Sequence, residues 1–121
     1  MTLSLQDLIL RVKNHPGFPG AGMLLCHNGV VRETSRDGRK VTGLRVSVNQ
    51  PVLASILEKA RKMPGIVDVQ VHIFGDQDLK TGDDVMYIVV AGDIREHVIS
   101  ALTDTLEAIK GQATKKTEFF T

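Results

Sequence analysis

The sequence predicts an α+β domain, with helices on one face of a mostly antiparallel sheet. Three observations lead there. Apolar residues recur at helical spacing in three segments and at strand spacing in five, in the order α-β-β-α-β-β-α-β. No internal repeat or low-complexity stretch interrupts that order. The length of 121 residues suits a single domain, 1–121, with a 42% apolar fraction to fill its core.

Ser4 caps a first helix, in which Leu5, Leu8, Ile9 and Val12 recur at helical spacing. "NHPGFPGAG" (14–22) ends it, because Pro16, Pro19 and the glycines cannot continue a helix. "MLLCHNGVVRE" (23–33) reads as a strand, bent or bulged at Asn28-Gly29. "TSRDGRK" (34–40) is a polar, mobile loop. "VTGLRVSV" (41–48) is a half-buried strand with Leu44, Val46 and Val48 on one face. "QPVLASILEKARKM" (50–63) is an amphipathic helix with Pro51 in its first turn, stopped by Pro64-Gly65. "IVDVQVHIFG" (66–75) alternates strictly through Val67, Val69, Val71 and Ile73, and 76–84 is a turn. "VMYIVVAG" (85–92) is continuously apolar and suits a central strand. The last helix spans about 94–109. Asp93 with Glu96 makes a capping-box-like start, and Ile94, Val98, Leu102, Leu106 and Ile109 form its buried stripe. Residues 116–120 add an edge strand.

Composition removes several function classes. A net charge of +1 argues against a general nucleic-acid or membrane-surface protein. Cys26 is the only cysteine, so an intrachain disulfide is impossible. Neither a signal-peptide pattern nor a run of roughly 20 apolar residues is present, so the expected location is cytoplasmic. There is no GxxxxGK[ST] or GxGxxG phosphate loop. His15, His27, His72 and His97 lack metal-ligand spacing and are read as non-catalytic. Cys26 and His27 are neighbours on a strand and point to opposite faces, which suits no nucleophile–base pair.

The basic residues carry the remaining signal. Arg32 ends a strand where a loop begins, Arg95 lies in the first turn of the last helix, Lys110 lies at that helix's end, and Lys116 follows shortly after. Singly, each fits a solvated surface, and Lys110 favours the negative end of the helix dipole. Together they suggest an anion site, where arginines bind bidentately and a lysine acts as a point charge or, if desolvated, as an acid–base group.

The order and spacing of four segments resemble the large, catalytic subunit of molybdopterin synthase. They are "HNGVVRE", "LRVSVNQPVLASILEKA", "VHIFGDQDLKTGDDVMYIVVAG" and "IKGQATKKTE", and the resemblance runs from about Gly22 to Phe120. It implies an αβ-hammerhead-type fold and a homodimer at the centre of a heterotetramer. A small ubiquitin-like sulfur-carrier subunit would insert its C-terminal thiocarboxylate into each large subunit. Sulfur would pass to cyclic pyranopterin monophosphate, making the dithiolene of molybdopterin with no metal or other cofactor. The resemblance casts Lys110 and Lys116 as catalytic, and Arg32, Arg95, Thr117 and Glu118 as substrate-binding.

The chain departs from the family pattern in places. Ile94 stands where the family has a histidine before the arginine, Thr114 and Lys115 replace a proline and a tryptophan, and the closing segment is shorter. These changes motivate an alternative: a non-catalytic paralogue that binds a carrier protein or ligand on the same scaffold. A nucleic-acid contact through Arg32, Arg36, Arg39, Lys40 and Arg45 is weaker, because no aromatic stacking platform lies beside them in the sequence.

Overall fold

Ser4 opens the first helix, α1 (Leu5–Lys13), through a reciprocal capping box. Its hydroxyl accepts the Asp7 N–H at 3.1 Å, and the Asp7 carboxylate accepts the Ser4 N–H at 2.8 Å. The computed structural model describes residues 3–121. Leu8 and Val12, one turn apart on α1, are fully buried. Their partners lie on a three-stranded antiparallel sheet of β1 (Met23–Val30), β3 (Ile66–Ile73) and β5 (Asp84–Gly92), in the order β1-β5-β3.

The central place of β5 explains its continuous apolar run. Met86, Ile88 and Val90 point into one core, shared with α2 (Gln50–Arg61) and α3 (Arg95–Ala108). Tyr87, Val89 and Ala91 point the other way, onto Leu8 and Val12 of α1. The helices therefore flank this sheet on both faces, not on one as the sequence suggested. A strand apolar on both faces requires cover on both, and the isolated α1 supplies the second.

β3 departs from its strict alternation for a local reason. A register irregularity between Ile66 and Asp68 puts Val67 on the α1 side, while Val69 and Val71 face α2 and α3. Asp68 is only 4% exposed. It accepts from Arg61 Nε at 3.2 Å and from the Val69 N–H at 2.8 Å, so its buried charge is paired and hydrogen-bonded.

A second antiparallel sheet has the order β4-β2-β6, with β2 (Val41–Val48), β4 (Asp78–Lys80) and β6 (Thr114–Phe120). β4 lies inside the segment read as a turn. Leu79 faces Leu44 across the pair, and both are buried with Val31 and Val46. Gly43 permits this approach, since a Cβ there would lie 2.3 Å from the Leu79 carbonyl oxygen. β6 is an edge strand, as expected, and begins two residues earlier than its sequence pattern suggested.

α3 starts differently from its sequence pattern. Ile94 is the N-cap, with no side-chain cap, and is 49% exposed, so it is not part of the buried stripe. Asp93 turns back instead: its Oδ1 accepts the Ile94 N–H at 2.7 Å and lies 2.7 Å from His97 Nδ1. Val98, Ala101 and Thr105 form the buried face, continued by Ile109. After Ala108 the helix widens into a π-helical turn, Ile109–Ala113, anchored by the buried side chains of Ile109 and Ala113. The Ala113 carbonyl accepts the Asn49 N–H at 2.7 Å, which ties the turn to the start of α2.

Candidate functional site

Lys110 is the second residue of that π-helical turn. Such wide turns are rare and often mark functional positions. This one ends α3 and passes the chain directly into β6. Cross-strand pairing then sorts the residues that follow. Thr114, Lys116 and Glu118 lie opposite Val48, Val46 and Leu44, whereas Lys115 and Thr117 lie opposite Ser47 and Arg45. Directly opposed residues share a face. Lys116 therefore stands with Leu44 and Val46, and Thr117 stands on the other face with Arg45.

Lys110 and Lys116 meet at a cavity of about 370 Å³ between the two sheets. Leu44, Val46, Ile73, Val85 and Met86 form its apolar walls. His27, Gly29 and Val30 line it from β1, and Arg36 reaches it from the loop after β1. Among the described residues no carboxylate lies within ion-pair distance of Lys110 or Arg36. Lys116 Nζ is 3.9 Å from Glu118 Oε1, a loose contact on a half-exposed side chain. Such a pair is worth no more than about 1 kcal/mol and yields readily to a stronger anion.

The Arg36 loop is built as a closed turn. Thr34 and Lys40 form an antiparallel bridge, and the Ser35 N–H donates to the Arg39 carbonyl at 2.8 Å. The Gly38 N–H donates to the Ser35 carbonyl at 3.0 Å, where the backbone takes a φ of 86° that favours glycine. The Ser35 hydroxyl donates to Asp37, and that bond holds the Asp37 carboxyl below the usual range. Arg39 stacks on Phe120, with its guanidinium carbon 3.7 Å from the ring centroid. An aromatic partner absent from the local sequence is thus brought by β6, and it pins the loop to the edge strand.

Four sequence-expected site residues, Arg32, Arg95, Thr117 and Glu118, do not line this cavity. Arg32 is used in the loop, its Nε donating to the Thr34 carbonyl at 2.7 Å. Thr117 faces away, because adjacent strand residues alternate. Arg95 lies at the far end of α3, roughly 20 Å from Lys110 along a helix rising about 1.5 Å per residue, and pairs with Glu96 at 3.2 Å. Glu118 takes part only through Lys116.

Two lining residues escaped the sequence reading. Arg36 had no distinguishing signal among the arginines of its loop. His27 was read as non-catalytic because the histidines lack metal-ligand spacing and its neighbour Cys26 points to the opposite face of the strand. Its ring lies on the cavity face of β1, and its Nε2 is buried with no hydrogen-bond partner among the described residues. Burial, and then the charge of Lys110, push the His27 imidazole below its ordinary pKa. The site therefore presents three cations and a neutral imidazole around apolar walls. That arrangement suits an anion carrying an organic body. Among the described residues no group of three His, Cys, Asp or Glu side chains is placed to hold a metal ion, and no helix is long and apolar enough to cross a membrane.

Residues 2–112 match the model of a protein family described as MoaE protein, a span that includes Lys110 and stops short of β6. Solved structures share the fold. The structure of molybdopterin synthase from Staphylococcus aureus has a TM-score of 0.71 at 23% identity, covering 84% of this chain and 77% of that one. A molybdopterin biosynthesis MoaE protein from Burkholderia ambifaria has a TM-score of 0.75 at 18% identity, covering 99% of this chain and 84% of that one. A complex of subunits 1 and 2 of the molybdopterin-converting factor from Helicobacter pylori contains a chain with a TM-score of 0.70 at 17% identity, covering 98% of this chain and 84% of that one. No curated protein matches the sequence.

Proposed function

The chain belongs to the MoaE protein family, the large-subunit family of molybdopterin synthase, and from that premise we propose that it is a sulfurtransferase of the molybdopterin synthase type. It takes sulfur from the thiocarboxylate of a small ubiquitin-like carrier and passes it to cyclic pyranopterin monophosphate. The observation that carries this reading is the convergence of Lys110, Lys116 and Arg36 on one apolar-walled cavity. Substrate and donor are both anions, so bringing them together requires cations. All three cations are exposed at the cavity's edge, where an arriving anion can reach them. Transfer from an acyl donor builds negative charge on oxygen, and the Lys110 ammonium is the group available to stabilise it or to give it a proton. Arg36 takes the phosphate-binding part first expected of Arg32, as a planar fork suited to two oxygens.

The Helicobacter pylori complex supports a two-subunit assembly, because a chain of this fold is held there with a second subunit. Arg95 enters the reading only through a homodimer. At the far end of α3 it is out of reach of its own cavity, and a second copy would have to bring it in. A non-catalytic module on the same scaffold is the second reading. It is favoured by Ile94, which places an exposed apolar side chain beside Arg95 where the family carries a histidine.

The anion site is tested by titrating inorganic phosphate into the purified chain by calorimetry. Arg36→Ala is expected to weaken phosphate binding about ten-fold, the loss of one charged hydrogen bond. Lys115→Ala removes the same unit of charge from the opposite face of β6 and is expected to change it less than about two-fold. Equal losses from both variants would mean a diffuse charge effect and no site at Arg36.

A further inference from the structure

We propose that His27 is a further ligand-contacting residue of this cavity, one that takes up a proton when an anion binds beside it. The proposal rests on the anion-site reading above and adds to it a group whose charge changes with the ligand. The placement comes from β1. Met23 and Leu25 point into the core, so the same alternation carries His27 and Gly29 along that face to the cavity. Gly29 leaves room for the ring: a Cβ there would lie 3.3 Å from His27 Nε2, tighter than ordinary contact.

The surroundings then set the charge. Lys110 from the π-helical turn, Lys116 from β6 and Arg36 from the loop all face this cavity, and no carboxylate among the described residues lines it. A protonated imidazole there would add a fourth cation and leave a buried N–H without an acceptor. The ring is accordingly neutral at neutral pH, in line with the lowering caused by burial and Lys110. An anion reverses both effects. It offsets the repulsion from Lys110, and it supplies an acceptor for the imidazolium N–H.

Proton and anion therefore bind cooperatively, and linkage fixes the sign. The His27 pKa is lower in the free chain than in the anion complex. Between the two values, binding takes up a proton and affinity falls as pH rises, by up to about ten-fold per pH unit. Above both values affinity is flat. For the proposed reaction, the arriving substrate anion would itself load a proton beside Lys110, where negative charge develops.

Sulfate is the probe, because it stays a dianion across the range. Calorimetry of the whole chain in two buffers of different ionisation enthalpy, from about pH 6 to about pH 8, the range in which histidine titrates, reads the protons taken up. NMR titration of the unaltered chain reads the pKa of His27 itself. Sulfate is expected to raise that pKa and to leave that of His72, which does not line the cavity, unmoved. His27→Gln is expected to bind sulfate with no proton uptake and no pH dependence. Sulfate binding without uptake, or the same uptake in His27→Gln, overturns the proposal and leaves the anion site standing. Failure of sulfate to bind overturns both, and the NMR arm remains decisive if the variant does not fold.

Discussion

Lys110→Ala is expected to slow sulfur transfer by a factor on the order of 10²–10³, the usual cost of removing one preorganised charge that stabilises a developing oxyanion. The same change is expected to alter stability by no more than about 1 kcal/mol, the most a favourable helix-dipole interaction contributes at an exposed position. Lys110 is exposed, and among the described residues it has no ion-pair partner. Its removal leaves no buried group unpaired. Lys110→Arg keeps the charge but spreads it over a larger planar group, so it is expected to restore anion binding more than rate. Single-turnover assays with a thiocarboxylated carrier, set beside urea denaturation of each variant, separate the two effects. Full transfer by Lys110→Ala would remove the lysine from the mechanism.

Ile109→Ala is expected to lower stability by about 2–5 kcal/mol, the range for truncating a fully buried aliphatic side chain. Ile109 is 0% exposed and packs in the core shared by α2, α3 and the central sheet. It is also the first residue of the π-helical turn, so it anchors the backbone that presents Lys110. Ile99→Ala, on the exposed side of α3, is expected to stay within about 0.5 kcal/mol. The midpoints of urea denaturation give the comparison, and equal losses at the two positions would mean that the turn is not held by this core. Anion binding measured well below the shifted Tm then shows whether a loosened turn still presents its lysine.

Much of this was legible in the chain because it depends on near neighbours. The bounds of β2 coincide with 41–48, since alternation and its flanking polar residues mark both ends. Pro51 in the first turn marks the start of α2, and the structure adds a cap there, the Asn49 side chain accepting the Val52 N–H at 3.2 Å. Other features depend on distant pairing and left little local trace. β4 is three residues long, and Leu79 has meaning only against Leu44. The second covered face of β5 becomes visible only when α1 packs across it. At the site, the alternation rule was already sufficient to separate Lys116 from Thr117, because neighbours on a strand cannot share a face. Which face would look onto a cavity was a different matter. It is set by β2 and β6 closing against β1 and β5, and that closure is what recruits His27 and Arg36 in place of Arg32.

The most direct measurement mixes the purified chain with a thiocarboxylated ubiquitin-like carrier and cyclic pyranopterin monophosphate and assays for the dithiolene product. The expected result is product that accumulates with carrier and vanishes in Lys110→Ala. Carrier binding with no product would contradict the sulfurtransferase reading and leave a binding module built on the same two sheets.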